Sequence, residues 1–287
     1  MPKENLLWRA YLRCVYPRTW WHNRRFPLSL EVRLGTDSVD FSFRDLDMTA
    51  RRAETMQGLL TGPCHILLSG PSVLNITEPS RLKKEFLIGV NGSPALLSRR
   101  GVGMDLYIVD DLAFIRNRLD DFRRYAREAR WVLVNFGVIA ELLRRGVTLA
   151  NAIVFDSFDA PFRRPAPPPS TQVVFARRFS DGLKPYGTVA YIALQAAFCL
   201  GFREVALFGL DLSTAGRYYP ESKPEPQRLD HDFVRSILAP FSYVGEMVGA
   251  GEWRVVNCSP HSTLPDSVLP KANPNEVLAP PVFAATA

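Results

Sequence analysis

The sequence predicts an α/β fold whose parallel sheet is covered by helices on both faces. Short, unbroken apolar runs recur from His65 to Asn257, each closed by Asn, Asp, Ser or Gly. Helical stretches separate them. Unbroken rather than alternating apolar runs belong to strands buried on both faces, which is the habit of parallel sheets. The stretch from Tyr186 to Ser213 condenses the pattern: a loop, a long apolar helix, a turn at Gly201, then the strand Val205–Phe208 that stops at Gly209 and delivers Asp211 to a loop.

The elements follow in order. Residues 1–60 read as an N-terminal appendage: a short helix, a β-hairpin formed by LSLEVRLG and SVDFSFRDLD around Gly35-Thr36-Asp37, and a helix from Met48 to Leu60. The main domain spans 61–268. Its strands are His65–Leu68, Phe86–Val90, Asp105–Val109, Trp131–Val134, Ala152–Phe155, Val205–Phe208 and Trp253–Asn257. Pro165 to Pro169 reads as a surface excursion. A polar, proline-rich segment of about 214–232, YYPESKPEPQRLD at its centre, follows the Asp211 strand where a lid over a site belongs. His231 then opens a helix that continues as FVRSILAPF. Residues 269–287 read as a disordered tail rich in proline and alanine.

Composition limits the function classes. With 287 residues and 47% apolar content, the chain suits one large globular domain with additions. Cys14, Cys64, Cys199 and Cys258 lie far apart with no CxxC, and Cys64 and Cys199 fall within apolar runs. Buried thiols in a reducing compartment are the simplest reading. No apolar run has the roughly 18 residues that cross a bilayer, and the N-terminus lacks a signal-peptide core, so the expectation is cytoplasmic.

The formal charge of +6 is unevenly spread. Arg9, Arg13, Arg18, Arg24 and Arg25 stand among Trp8, Tyr11, Tyr16, Trp20 and Trp21. Basic residues beside Trp and Tyr suit an anionic membrane surface. The same composition serves nucleic acid, or a solvated helix that docks its aromatic face on the domain.

In open α/β sheets, ligands sit beyond the carboxyl ends of the strands. Ser69-Gly70-Pro71-Ser72 is there, a tight turn whose N–H groups suit phosphate, although it is neither a Walker A sequence nor GxGxxG. It also reads as an ordinary β–α turn. Asn91, Asp110, Asn135 and Asp156 all end strands, and position alone does not choose among them. Gly187-Thr188 opens the long helix and lets its amides approach an anion. Asp211 either touches a ligand or braces its turn.

Of four histidines, His231 has the best position for a general base, with a local helix-start contact as the plain alternative. Tyr218 and Tyr219 can donate to a departing phosphate, or pack as lid aromatics. No DxD triplet or His/Cys spacing indicates a metal; the pairs Asp110-Asp111 and Asp120-Asp121 read as helix caps.

Four segments, taken in order, resemble the bacterial sialyltransferases that use a CMP-sugar donor (glycosyltransferase family 42) and related domains of lipopolysaccharide core biosynthesis. They are ILLSGPSVLNI, FLIGVNGSPAL with DLYIVDDLAFI, GTVAYIALQAAFCLGFREVALFGLDLS, and WRVVNCSPHSTLP, covering roughly 64 to 265 with gaps. The resemblance implies a Rossmann-like fold with a lid and metal-independent transfer of an acidic 2-keto sugar from CMP, with no cofactor beyond the donor. It implies nucleotide contacts from Gly70, Pro71, Ser72 and Asn91 and from Tyr186-Gly187-Thr188; Ser69 and Asp110 stand at family positions with a changed residue, and Asp211 joins the candidate contacts by its place beyond the strand end. Ser259, Pro260 and Ser262 fall in the last motif, near the donor. Tyr219 resembles the tyrosine that holds the leaving phosphate, and His231 the base that deprotonates the acceptor hydroxyl.

Three positions depart from the family: Ser69 stands for Asn, Asp110 for Asn, and Tyr186 for Ser. Asp110 brings a negative charge toward an anionic donor. CMP-activated 3-deoxy-octulosonic acid (Kdo) is the natural alternative to CMP-sialic acid. The implied partners are a CMP-sugar, a lipid-linked or oligosaccharide acceptor, and an inner-membrane surface met by residues 1–30, not nucleic acid. Two rival readings accompany this one: a pyrophosphokinase of the same fold, using ATP and Mg²⁺ held by Asp110 and Asp211, and a non-catalytic glycan- or membrane-binding module.

Overall fold

The computed structural model describes residues 30–98, 100–155, 173–212, 216–219 and 233–279. Ten strands form one sheet in the order β1-β2-β3-β8-β7-β6-β5-β4-β9-β10. The strands are β1 (Leu30–Leu34), β2 (Ser38–Phe43), β3 (Leu46–Arg52), β4 (Pro63–Leu67), β5 (Phe86–Val90), β6 (Met104–Val109), β7 (Ala129–Asn135), β8 (Ala152–Phe155), β9 (Glu204–Phe208) and β10 (Arg254–Asn257). From β3 to β10 every neighbouring pair is parallel.

Each of the seven strands expected in the main domain is present, and their apolar runs have a direct cause. Successive side chains of a strand point to opposite faces. Ile66 and Ile88 enter one core, while Leu67 and Leu87 enter the other. A strand clad on both faces leaves little room for a polar residue, and His65 of β4 is buried with its ring nitrogen on the Leu82 carbonyl.

The helices are α1 (Ala95–Ser98), α2 (Leu112–Asn117), α3 (Leu119–Glu128), α4 (Phe136–Arg144), α5 (Val189–Leu200), α6 (Ala239–Gly249) and α7 (Pro274–Val277). One core joins the sheet to α2, α3 and α4 through Phe114, Phe122, Ile139 and Leu142. The other joins it to α5 and α6 through Leu194, Phe198, Phe241 and Val244. Helix α5 is buried from Ala190 to Leu200, which is why its sequence is apolar all round rather than on one stripe. Its one interior amide, Gln195, is fully satisfied. Its Oε1 accepts from the Ala176 and Lys184 amides at 3.0 and 3.1 Å, and its Nε2 donates to the Lys184 and Tyr191 carbonyls at 2.8 and 3.0 Å. Gln195 thus clamps the loop of residues 176–184 onto the helix.

Three expectations change. Residues 48–60 hold no helix: Leu46–Arg52 is strand, followed by a 3-10 turn, Ala53–Met56. Met48 and Ala50 are buried while Thr49 and Arg51 face out, a period of two set by β2 on one side and β8 on the other. Strand pairing overrides local helix propensity here. Second, the hairpin is not an appendage, because β3 extends the main sheet and Phe41 of β2 lies 5.6 Å from Phe136 of α4. Third, residues 269–279 are folded. Leu269 is fully buried, Lys271 bridges to Asn257, and α7 carries a side-chain cap from Asn273.

Candidate active site

The strand order reverses at β4. Its chain continues outward through β5, β6, β7 and β8, whereas β9 and β10 lie on its other side. A crevice outside the carboxyl ends at such a reversal is where doubly wound sheets bind ligands. The turn after β4, the turn after β5, the loop after β9 and the loop after β10 all meet there. Helix α5 runs antiparallel to the strands, so its N-terminus faces the same edge.

The turn after β4 is Ser69-Gly70-Pro71-Ser72. It opens a short 3-10 helix, Pro71–Asn75, rather than an α-helix. Two of its N–H groups already have partners, where the sequence alone leads one to expect them free for a phosphate. The Ser72 N–H donates to Asp211 Oδ2 at 3.2 Å, the Ser72 hydroxyl donates to the same oxygen at 2.8 Å, and the Gly70 N–H donates to the Gly209 carbonyl at 3.0 Å. The Asp211 carboxylate occupies the anion position of the turn. Asp211 is buried and braces its neighbour, the second of the two readings the sequence left open. Gly70 is obligatory, since a Cβ there falls 1.9 Å from Asp211 Oδ2 and 2.5 Å from the Gly209 carbonyl oxygen.

The loop after β10 holds Asp211 in place. The Ser259 hydroxyl accepts from the Leu210 N–H at 2.7 Å, and the Ser262 hydroxyl donates to the Leu210 carbonyl. The Thr263 N–H donates to the Asp211 carbonyl at 2.9 Å, and its hydroxyl donates to the Leu212 carbonyl at 2.8 Å. Ser259 and Ser262 are buried. Both act as clips between two loops, while Pro260 is exposed beside them and lines an open cleft of about 440 Å³ with Asn75, Lys271 and residues of α7.

Asn91, after β5, has a different character. Its backbone is left-handed at φ 44°, a conformation Asn tolerates. Its amide donates to the Ile108 carbonyl at 3.1 Å and its own carbonyl accepts from the Tyr107 hydroxyl at 2.7 Å. Its side-chain Oδ1 is buried and lacks a hydrogen-bond partner among the described residues. An unmatched buried acceptor costs about 1–3 kcal/mol, so it belongs where a ligand donor arrives.

The next residues hold the aromatic pair. The Tyr218 hydroxyl donates to the Ser93 carbonyl at 2.6 Å and accepts from the Leu96 N–H at 2.7 Å, while the Tyr218 N–H donates to the Ser69 carbonyl at 3.0 Å. Tyr218 thus ties the β4 and β5 turns together. Tyr219 is 3% exposed, with its ring against Gly92: a Cβ on that glycine falls 2.2 Å from the ring Cζ. The Arg118 guanidinium lies 4.7 Å from the ring centroid.

Asp110 ends β6 and accepts from Asn135 Nδ2 at the end of β7, while Asn135 Oδ1 caps α4 by accepting from the Val138 N–H at 2.8 Å. Asp110 follows β6, whereas Asp211 follows β9 and reaches the turn after β4. Thr188 caps α5 by accepting from the Ala190 N–H at 3.2 Å. Gly187 before it is exposed, and Tyr186, at φ 28°, accepts from the Val174 N–H through its hydroxyl at 2.9 Å. Among the described residues four non-glycine residues have positive φ, and three of them (Asn91, Tyr186 and Leu212) lie at this edge. Such backbone strain, of order 1–3 kcal/mol each, gathers at functional sites. His231 and Asp156 lie outside the described residues.

The sequence did not single out Arg118, Ser93 or Gly92. Ser93 followed the Asn-Gly pair and offered a signal; its buried hydroxyl joins the Val90 N–H and the Leu67 carbonyl at 2.8 and 2.7 Å. Arg118 offered none, because the ring it covers lies a hundred residues on.

Comparison with known proteins bears on the kinship of the chain. A family model described as 3-deoxy-D-manno-octulosonic acid transferase WaaZ matches residues 48–144. A probable 3-deoxy-manno-octulosonic acid transferase of Escherichia coli K12 is 27% identical over 234 residues, 71% of this chain and 80% of the relative. Its Salmonella typhimurium LT2 counterpart is 26% identical over 243 residues, 75% and 88% of the two chains. The chain resembles the Kdo transferases. The kinship read from the four segments therefore stands, on its Kdo side.

Among solved structures, the Kdo-transferase-like chain is similar to the MAf glycosyltransferase of Magnetospirillum magneticum AMB-1, with a TM-score of 0.46 and 16% identity. The match covers 77% of this chain but 37% of that larger protein. It is also similar to the Campylobacter jejuni sialyltransferase CstII in complex with cytidine-5'-monophosphate, with a TM-score of 0.42 and 14% identity over 74% and 86% of the two chains. No helix among the described residues is long and apolar enough to cross a membrane.

Proposed function

We propose that the chain is a glycosyltransferase that moves Kdo from CMP-Kdo to a hydroxyl of a lipopolysaccharide or related surface glycan, without a metal. The observation that carries the reading is the convergence of the predicted segments at the strand-order reversal, around the unmatched Oδ1 of Asn91. An acceptor oxygen there meets a base amine or a sugar hydroxyl equally well. The 26–27% identity to probable Kdo transferases favours Kdo over sialic acid as the sugar.

In this reading the acceptor oxygen attacks the anomeric carbon, the bond from that carbon to the phosphate oxygen breaks, and CMP leaves with the electron pair. His231 takes the acceptor's proton. Tyr219 faces the departing phosphate, with the Arg118 charge stacked on its ring as further stabilisation. Asn91 and the start of α5 at Gly187-Thr188 bind the nucleotide. Asp211, Ser72, Ser259 and Ser262 form the frame that fixes the crevice wall.

CMP release from CMP-Kdo and from CMP-sialic acid, with an acceptor glycan present, tests the reading. Release from CMP-Kdo alone, lost in His231→Ala, is expected. Full activity in that variant removes His231 from the role of base, and no release from either donor removes the transferase reading.

A further inference from the structure

The two helical layers differ sharply in charge. Helix α5 carries no charged residue and α6 carries only Glu246. The opposite layer, from Leu112 through Arg145, carries seven arginines beside Arg130 of β7, and no lysine. Against those seven stand four carboxylates: Asp120, Asp121, Glu128 and Glu141. The layer alone thus accounts for half of the chain's formal excess of six positive charges.

The centre of this face is built. Glu141, 8% exposed at its side chain, draws three guanidinium groups: Arg116 at 3.3 Å through both nitrogens, Arg144 at 3.2 Å and Arg145 at 2.9 Å. Those ion pairs hold the Glu141 carboxyl below its usual range even though burial pushes it up. One carboxylate neutralises one of three charges. The three side chains remain 31 to 42% exposed, with donors to spare. On α3, Arg123 and Arg124 reach Asp120 and Asp121, and Arg127 donates to the Arg123 carbonyl on the outer side of the helix.

We infer that this face docks on an anionic phospholipid surface. Guanidinium groups are always charged, and a plane of phosphate headgroups attracts them through the summed charge of the face. The face spans three side-by-side helices, suited to a plane of charge. The chain entering β1 points the same way: it carries Trp8, Trp20, Trp21, Tyr11 and Tyr16 among its basic residues, the composition of an interfacial segment rather than of a nucleic-acid arm. This inference stands on charge and placement and does not depend on the transferase reading.

Co-sedimentation of the full chain with vesicles tests it, comparing phosphatidylcholine alone with equal parts of phosphatidylcholine and phosphatidylglycerol. Binding to the anionic vesicles alone, weakened by salt, is expected. Each surface arginine adds about fivefold to partition, so Arg123→Gln/Arg127→Gln/Arg144→Gln binds on the order of 100-fold more weakly. The corresponding triple lysine variant keeps binding, because a charged plane reads charge. A glutamine triple that binds within about threefold of wild type overturns the inference. So does loss of binding in the lysine triple, which marks a discrete guanidinium-dependent ligand, and so does equal binding to neutral vesicles. CMP release with a short soluble acceptor, measured in the same preparations, stays unchanged in both triples. Its absence from wild type as well sinks the transferase reading and leaves the vesicle result intact.

Discussion

The Asp211 brace permits a quantitative test of what the crevice wall is for. Asp211→Ala removes one oxygen that accepts two hydrogen bonds from Ser72, at 3.2 and 2.8 Å, in a site where both residues are buried. A hydrogen bond to a charged group contributes about 1.5–3 kcal/mol, and a stranded buried donor costs about 1–3 kcal/mol. The two bonds share an acceptor and do not add fully, so the expected loss is about 3 kcal/mol. That lowers Tm by roughly 6–12 °C in a domain of this size. Asp211→Asn keeps an oxygen toward Ser72 and loses the charge, and costs about half as much. Urea unfolding at constant m, together with a double-mutant cycle against Ser72→Ala, reads both numbers. The cycle isolates the pair, with a coupling of about 1–2 kcal/mol expected from contacting groups. An Asp211→Ala variant as stable as wild type, with CMP binding abolished, would refute the bracing role and return Asp211 to the ligand.

Three further outcomes follow from the same geometry. Ser259→Ala strands the buried Leu210 N–H and lowers stability by about 1–3 kcal/mol by denaturant titration, whereas Thr263→Ala, at an exposed clip, stays within about 1 kcal/mol. Gly92→Ala drives the Tyr219 ring from its seat; CMP affinity falls at least about tenfold by calorimetry while the variant remains folded, since Tyr219 moves but the strand does not. His65 is buried, with its Nδ1 on the Leu82 carbonyl at 2.9 Å and its ring edge-on to Phe208, and burial lowers its pKa. The unfolded chain then binds a proton that the fold refuses. Stability contributed by neutral His65 is complete above the ordinary pKa of about 6.5 and is lost as pH falls below it toward the lowered value. His65→Gln flattens that slope in urea titrations at a series of pH values.

The parallel sheet was legible in the sequence because burial on both faces leaves no choice of residue: Ile66-Leu67 and Leu87-Ile88 each feed two cores. Strand β3 was not legible. Leu46–Arg52 has alternation on its own account, but Met-Thr-Ala-Arg-Arg-Ala-Glu also suits a helix, and only its neighbours β2 and β8 decide. The carboxyl-edge residues were found by position, and their jobs were found by geometry. Ser72 and Asp211 bond each other, and Ser259 and Ser262 bond the Leu210 backbone, pairings that no local pattern announces. Asn91 has an acceptor to spare, while the pairing of Asp110 with Asn135 spans two strand ends that the sequence could only enumerate. Tyr219 under Arg118 joins residues too far apart in the chain for any local pattern to connect.

The central ladder of the sheet carries a consequence for biogenesis. Strand β4 is made early and pairs with β9, Cys64 beside Val205. A nascent chain that has emerged only as far as β8 has an uncovered flank on β4, with Ile66 and Leu67 unshielded on that side and no crevice to fill. Contacts of such long sequence separation close late and slowly. On the proposed function, a nucleotide bound across the β4–β9 seam would act as a rivet between the first and last thirds of the polypeptide. Binding the native state alone, it would favour the closed ladder by mass action. Donor supply and the survival of newly made protein would then be linked through one pair of neighbouring strands.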